Sequence, residues 1–369
     1  MLNFLSCQIS HNRKSFLLSW SFSGISSALI AFQAMAYEVD PNATINDSPT
    51  SLLGINHIGL SVRDLDASLD FYQNASGFKL VRREVISNSI AADKLFGREN
   101  IEYEIAVLEA PNMLFELIEF SHNRNLPITK MPVQGPGMTH TCFQSPAHLS
   151  GYDKFKNAGA EMLSRGDGPV DLLGQGVTYA YAYDPEGNML ELEQLDFNVL
   201  GGDPRKPEWV EQGLNMWMTQ VALVTHDIER LTDYYANLMG FNPHRAADIA
   251  GRAAFDDATN IDDVALKVVF FRMAQLTTSM EFWQYVNPAT PRAVENRDIT
   301  APGYSYSFEV ADIQVEYARM AELGVEFVSE PVLMGESWQV YANDIDGNVF
   351  ALRQWVDPDS PWSVPSLEQ

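Results

Sequence analysis

A short helix that stops at a glycine recurs four times in this chain, three times behind an acidic cap. The glycines are Gly77, Gly159, Gly240 and Gly324, spaced 82, 81 and 84 residues apart. The first helix follows Asp64 and carries Leu65, Leu69 and Tyr72 on one face. The second carries Tyr152, Phe155 and Ala158. The third follows Asp227 with Ile228, Leu231, Tyr234, Tyr235 and Leu238, and the fourth follows Asp312 with Ile313, Tyr317 and Met320. Helical spacing and a C-terminal glycine recurring together mark a structural repeat. Partly alternating apolar runs follow the first helix at Phe78 to Val85, Ile101 to Leu108 and Met113 to Phe120, the pattern of half-buried strands. Tight turns at Asp184-Pro185-Glu186-Gly187-Asn188 and Asp344-Ile345-Asp346-Gly347-Asn348 each precede a further apolar run. Each unit is therefore βαβββ, and the fold class is α+β. Residues 52–200 hold the first two units and residues 214–357 the last two. Residues 201–213, opening Gly201-Gly202-Asp203-Pro204, have the composition of a linker, and 358–369 form a tail.

The formal net charge of −25 repels phosphate backbones and anionic lipid headgroups, which sets nucleic acid and membrane surfaces aside as partners. The N-terminus has the order of an export signal: Arg13 and Lys14, an apolar stretch from Phe16 to Phe32, then Ala34-Met35-Ala36. Residues 1–36 are expected to be removed, 37–51 to be a polar linker, and the product to reside in the periplasm or outside the cell. The mature chain keeps one cysteine, Cys142, so it has no internal disulfide and no cysteine-based zinc site. Any metal is expected to be held by nitrogen and oxygen ligands.

Asn56-His57-Ile58-Gly59-Leu60, Phe115-Glu116-Leu117, Gly137-Met138-Thr139-His140 and Asn188-Met189-Leu190-Glu191-Leu192, in that order and at that spacing, resemble the four metal-bearing strands of the vicinal oxygen chelate superfamily. That superfamily includes glyoxalase I, methylmalonyl-CoA epimerase, extradiol dioxygenases and the bleomycin and fosfomycin resistance proteins. The resemblance implies tandem βαβββ modules paired into two cup-shaped domains. It also implies one divalent metal (iron, nickel, manganese, cobalt or zinc) held in the first domain by His57, Glu116, His140 and Glu191. Two imidazoles and two carboxylates suit such ions, and a cation offsets the cost of burying the carboxylates.

In the second half the aligned positions are Gln220, Glu281, Tyr306 and Ala351. Alanine cannot ligate, so this half is expected to be degenerate. Its aromatics Trp283, Tyr285, Trp338 and Trp355 are expected in the core, or lining an apolar pocket or a homodimer face. By resemblance to glyoxalase I, the chemistry expected is lyase or isomerase proton transfer on a small substrate with vicinal oxygens, with Glu191 the first candidate base and Glu116 the second. A ferrous extradiol dioxygenase using His57, His140 and Glu191, with Tyr181 beside them, is the alternative. A non-catalytic small-molecule binding protein is the third reading.

Overall fold

The computed structural model describes residues 50–172, 174–273, 278–293 and 297–367, and the backbone of a two-residue strand at 36–37. The expected export signal and most of the 37–51 segment lie outside the described residues. Among the described residues, no helix is long and apolar enough to cross a membrane.

All four repeats are present. The first has β1 (Leu52–Val62), α1 (Leu65–Ser76), β2 (Lys79–Ile86), α2 (Ile90–Phe96), β3 (Tyr103–Glu109) and β4 (Leu114–Phe120). The second has β5 (Gly137–His140), β6 (Cys142–Pro146), α3 (Gly151–Ala158), β7 (Glu161–Met162), β8 (Val170–Asp171), β9 (Val177–Tyr183) and β10 (Met189–Leu195). Two short helices follow, α4 (Phe197–Leu200) and α5 (Pro207–Glu211). Trp209 of α5 is buried, so the expected linker is a packed segment. The third repeat has β11 (Trp217–Met218), β12 (Gln220–Val224), α6 (Ile228–Met239), β13 (Arg245–Ala250), α7 (Ala253–Thr259), β14 (Ala265–Arg272) and β15 (Ser279–Asn287). The fourth has β16 (Gly303–Val310), α8 (Ile313–Glu322), β17 (Val332–Met334), β18 (Ser337–Asn343) and β19 (Val349–Trp355).

The helix signals act as expected. Asp64, Asp227 and Asp312 accept hydrogen bonds from the first-turn amides of their helices. Ser150 does the same for α3. Such caps stabilise a helix by about 1 kcal/mol each. A further cap comes from the sheet. Glu119, Gln194, Gln284 and Gln354 each accept from an N-terminal amide of their own unit's helix, at 2.7–3.2 Å. Each stands on its unit's last strand, three residues beyond the positions of Glu116, Glu191, Glu281 and Ala351. This recurrence fixes which residues are equivalent between units.

The pairing of units differs from expectation. One eight-stranded sheet runs β17-β18-β19-β16-β1-β4-β3-β2, so it joins the first unit to the fourth. In its middle, β1 and β16 are antiparallel, with His57 opposite Ser307 and Gly59 opposite Ser305. The second and third units form two further sheets, β13-β14-β15-β12-β5, with the strand at 36–37 at its edge, and β11-β6-β10-β9-β7, with β8 beside β9. There β5 and β6 run on through Thr141 and pair with β12 and β11, with His140 opposite Ala222. We call these the outer cup (first and fourth units) and the inner cup (second and third). Two cups exist as expected, but neither half of the chain closes its own.

Consecutive units instead meet through their helices and turns. The Tyr72 hydroxyl on α1 donates to Asp184 in the second unit's closing turn at 2.9 Å, and Tyr235 on α6 donates to Asp344 in the fourth unit's turn at 2.8 Å. Glu186, in the same turn as Asp184, accepts from the amides of Arg63 and Asp64. The largest core cluster draws on all four units at these helix-bearing faces. A second cluster fills the inner cup, including Phe255 of α7, and a third fills the outer cup, including Leu95 and Phe96 of α2. Each cup is therefore plugged by a short helix. Trp283 and Tyr285 are buried in the inner cup and Trp355 in the outer, while Trp338 is partly buried.

Candidate metal centre

Strand alternation decides what the cups contain. On β16, Tyr304, Tyr306 and Phe308 face the helix-side core, so Ser305 and Ser307 face the outer cup. His57 and Gln220 each stand seven residues before a helix-capping aspartate, Asp64 and Asp227. Seven residues before Asp312 stands Ser305, not Tyr306. Ser305 is thus the counterpart of His140. Tyr306 points the other way, and its hydroxyl bonds to that of Tyr235.

The four expected ligands are divided between the cups. His57 and Glu116 lie in the outer cup, with His57 Nε2 3.4 Å from Glu116 Oε2. His140 and Glu191 lie in the inner cup, with His140 Nε2 3.4 Å from Glu191 Oε2. The single site expected in the first domain is corrected accordingly. Its four residues belong to units that pair with other partners. The extradiol triad of His57, His140 and Glu191 is divided in the same way.

In the outer cup the positions equivalent to the missing ligands are Ser305 and Ala351. A cation is already present there. Arg353 donates to both carboxylate oxygens of Glu116, at 2.9 and 3.3 Å, and to Asn56 Oδ1 at 3.1 Å. Burial alone would raise the Glu116 carboxyl, but Arg353, His57 and Arg82 overcome it and hold it at about 2. Burial, opposed by Glu116 and reinforced by Arg353, brings the His57 imidazole down to about 3. This cup is an internally neutralised ion pair, and Arg353 takes the place a metal would need.

The inner cup has the opposite balance. The position equivalent to Arg353 is Glu193, two residues after Glu191 as Arg353 is two after Ala351. The third unit adds Gln220 and Glu281. Glu191, Glu193, Gln220 and Glu281 line one small cavity of about 10 Å³ with Tyr179, Leu172 and Trp283. That is room for one water molecule or one ion. All four polar residues are buried. Burial, and then the charge of Glu191, pushes the Glu193 carboxyl up to about 8 and Glu281 upward too. Arg245, stacked on Phe270 at 3.9 Å, counters both. Three carboxylates gathered in a low-dielectric cup repel one another unless protons or a cation intervene.

Two further donors lie close by: Gln220 lines the cavity, and His140 Nε2 stands 3.4 Å from Glu191. His140 Nε2 and Gln220 Oε1 are buried and have no hydrogen-bond partner among the described residues. The other ring nitrogen of His140 is held by the Thr139 hydroxyl at 2.9 Å, the usual arrangement for a histidine that presents one nitrogen to a metal. The Tyr181 ring packs edge-on against the imidazole at 5.0 Å. An imidazole, an amide oxygen and two carboxylates fit a divalent ion. In the inner cup, Gln220 and Glu281 stand at the positions that the sequence alone assigned to His57 and Glu116. The signal that finds this cup is the sign change between Glu193 and Arg353, on strands that otherwise repeat.

Comparisons with known proteins agree with this architecture. Residues 54–192 match a family model described as the glyoxalase/bleomycin resistance protein/dioxygenase superfamily, and residues 219–341 match a second model of the same description. The ethylmalonyl-CoA/methylmalonyl-CoA epimerase of Cereibacter sphaeroides is 26% identical over 145 residues, covering 38% of this chain and 97% of that protein. The lactoylglutathione lyase of Pseudomonas aeruginosa is 28% identical over 171 residues, covering 44% of this chain and 94% of that one. The crystal structure of glyoxalase I from Zea mays superposes with a TM-score of 0.54 at 20% identity, covering 83% of this chain and 92% of that one. It shares the fold.

Proposed function

The chain belongs to the glyoxalase/bleomycin resistance protein/dioxygenase superfamily, and from that premise we propose that it is a divalent-metal lyase or isomerase with a single centre in the inner cup. The observation that carries this reading is that Gln220, Glu191 and Glu281 line one buried, ion-sized space, with His140 Nε2 3.4 Å from Glu191. A divalent ion there would supply Lewis acidity toward two adjacent oxygens of a small substrate.

The residues of the chain do the rest. Thr139 orients His140, and Tyr181 packs against its ring. Glu191 is the first candidate to take and return a proton, since it faces both His140 and the cavity. Glu281, its counterpart in the third unit, is the second. Glu116 is not, because Arg353 engages both its oxygens. The plug formed by α7, tied to the second unit by Ser164 and Arg165, limits water in the cup and so favours proton transfer between fixed groups.

A proton-transfer enzyme is preferred to an extradiol dioxygenase because the inner cup offers one histidine where that chemistry uses two. Two of the curated relatives are named an epimerase and a lyase. Export of the mature chain remains part of the proposal, and mass analysis of protein from its native host should place the N-terminus near Tyr37.

The test is elemental analysis of purified protein, followed by turnover assays on small hydroxy-carbonyl compounds with and without oxygen. A single divalent ion per chain and activity that survives anaerobically support the reading. An oxygen-dependent, iron-specific ring cleavage would overturn it.

A further inference from the structure

The position two residues after the first-strand ligand is small in every unit: Gly59, Cys142, Ala222 and Ser307. These residues lie at the seam where paired units meet. A Cβ on Gly59 would come within 2.4 Å of Ser305 Oγ, and Ala222 lies opposite His140. Alanine fills the seam on the other side of the inner cup, so packing there does not call for sulfur.

Cys142 is fully buried and lies beside Glu191 in the parallel pairing of β6 and β10. Its Sγ and carboxylate oxygens of Glu191 and Glu193 all lie within 4.8 Å of one another, close enough for one ion to reach all three. The thiol donates to Glu193 at 3.6 Å. Glu193 is also held by Gln144, whose side-chain oxygen accepts from Trp217 at 2.8 Å. A separate observation points to the same space. Gln220 Oε1, buried and unpartnered among the described residues, lines the cavity that Glu191 and Glu193 also line.

We propose that Cys142 supplies a sulfur donor to the inner-cup ion, beside Glu191 and Glu193. This rests on the metal-centre reading above. When the ion binds, the S–H bond breaks and a sulfur–metal bond forms. The proton is released to solvent as the ion enters, and no oxidant or reductant takes part. A soft donor shifts preference toward zinc, cobalt or ferrous iron and away from magnesium and manganese. The centre would be unusual for a site otherwise made of nitrogen and oxygen, and it would be vulnerable to thiol oxidation.

The experiment loads the purified full chain, stripped with a chelator, with cobalt(II) or zinc alone. Bound cobalt should give a sulfur-to-cobalt charge-transfer band in the near ultraviolet. Bound zinc should show by X-ray absorption a sulfur scatterer at about 2.3 Å, longer than its nitrogen and oxygen shell at about 2.0–2.1 Å. Cys142→Ser should abolish the band and the sulfur shell while keeping a single ion per chain. A wild-type protein that binds the ion with only nitrogen and oxygen neighbours overturns the sulfur ligand and leaves the metal centre standing. A chain that takes up no ion overturns both. The wild-type spectra decide the matter even if the variant folds poorly.

Discussion

At the scale of single residues, the two cups make opposite predictions. His140→Ala, Glu191→Ala and Glu281→Gln should each strip the ion, as measured by metal content after dialysis. His57→Ala and Glu116→Gln should leave it unchanged, because they lie in the cup that Arg353 neutralises. Arg353→Met should act on stability instead. Breaking a buried ion pair by removing one partner costs about 3–5 kcal/mol, so its urea midpoint should fall sharply. Adding Glu116→Gln should restore much of the loss. If Arg353→Met alone were neutral, the guanidinium would not be holding that cup together. His57, Glu116, His140 and Glu191 were legible in the sequence as a set of ligand-type residues. Their division was not. Each motif looks the same whichever unit it faces, and backbone pairing at a strand edge leaves little mark on the side chains. The substitution that matters, Arg353 for Glu193, lies two residues beyond the motif.

At the scale of elements, the closing turns are the joints between neighbouring units. Asp184 and Asp344 each bind two backbone amides and an asparagine side chain of their own turn, and each accepts a tyrosine hydroxyl from the preceding unit's helix. Burial outweighs these hydrogen bonds and raises both carboxyls to about 6. An acid whose folded value exceeds its unfolded value near 4 makes the native state bind more protons. Its contribution is fully present below pH 4 and is lost as pH rises through about 6. The stability gap between wild type and an Asp184→Asn, Asp344→Asn variant should therefore change between pH 4 and 7. The change should favour wild type on the acid side, by on the order of 2–3 kcal/mol per aspartate at most. Parallel urea titrations at several pH values would show it, and a gap independent of pH would mean that the turns hold their carboxylates in water-like surroundings. These elements were the most readable part of the chain, because caps, closing glycines and Asp-x-x-Gly-Asn turns carry local chemistry. The segment 201–213 was the exception, since its glycines and prolines gave no hint that Trp209 is buried.

At the scale of the whole molecule, the crossed pairing predicts how half of it would behave. A fragment of residues 50–204 contains the first and second units but neither unit's partner. Two copies can satisfy each other, the first unit of one pairing with the second unit of the other. The expected product is a dimer by sedimentation. Each of its cups would unite His57 and Glu116 with His140 and Glu191, the set inferred from sequence alone, now free of Arg353. Such a dimer should bind an ion in each cup, and a folded monomer would contradict the pairing. The intact chain needs no second copy to complete either cup. Its packed segment between the second and third units therefore has a kinetic meaning. What two half-length chains must do by collision, at a rate set by their concentration, this protein does within one chain at a fixed effective concentration. Its centre should not come apart on dilution. Because the two cups sit on one chain, each can also change without the other following, which a symmetric pair of identical chains cannot do.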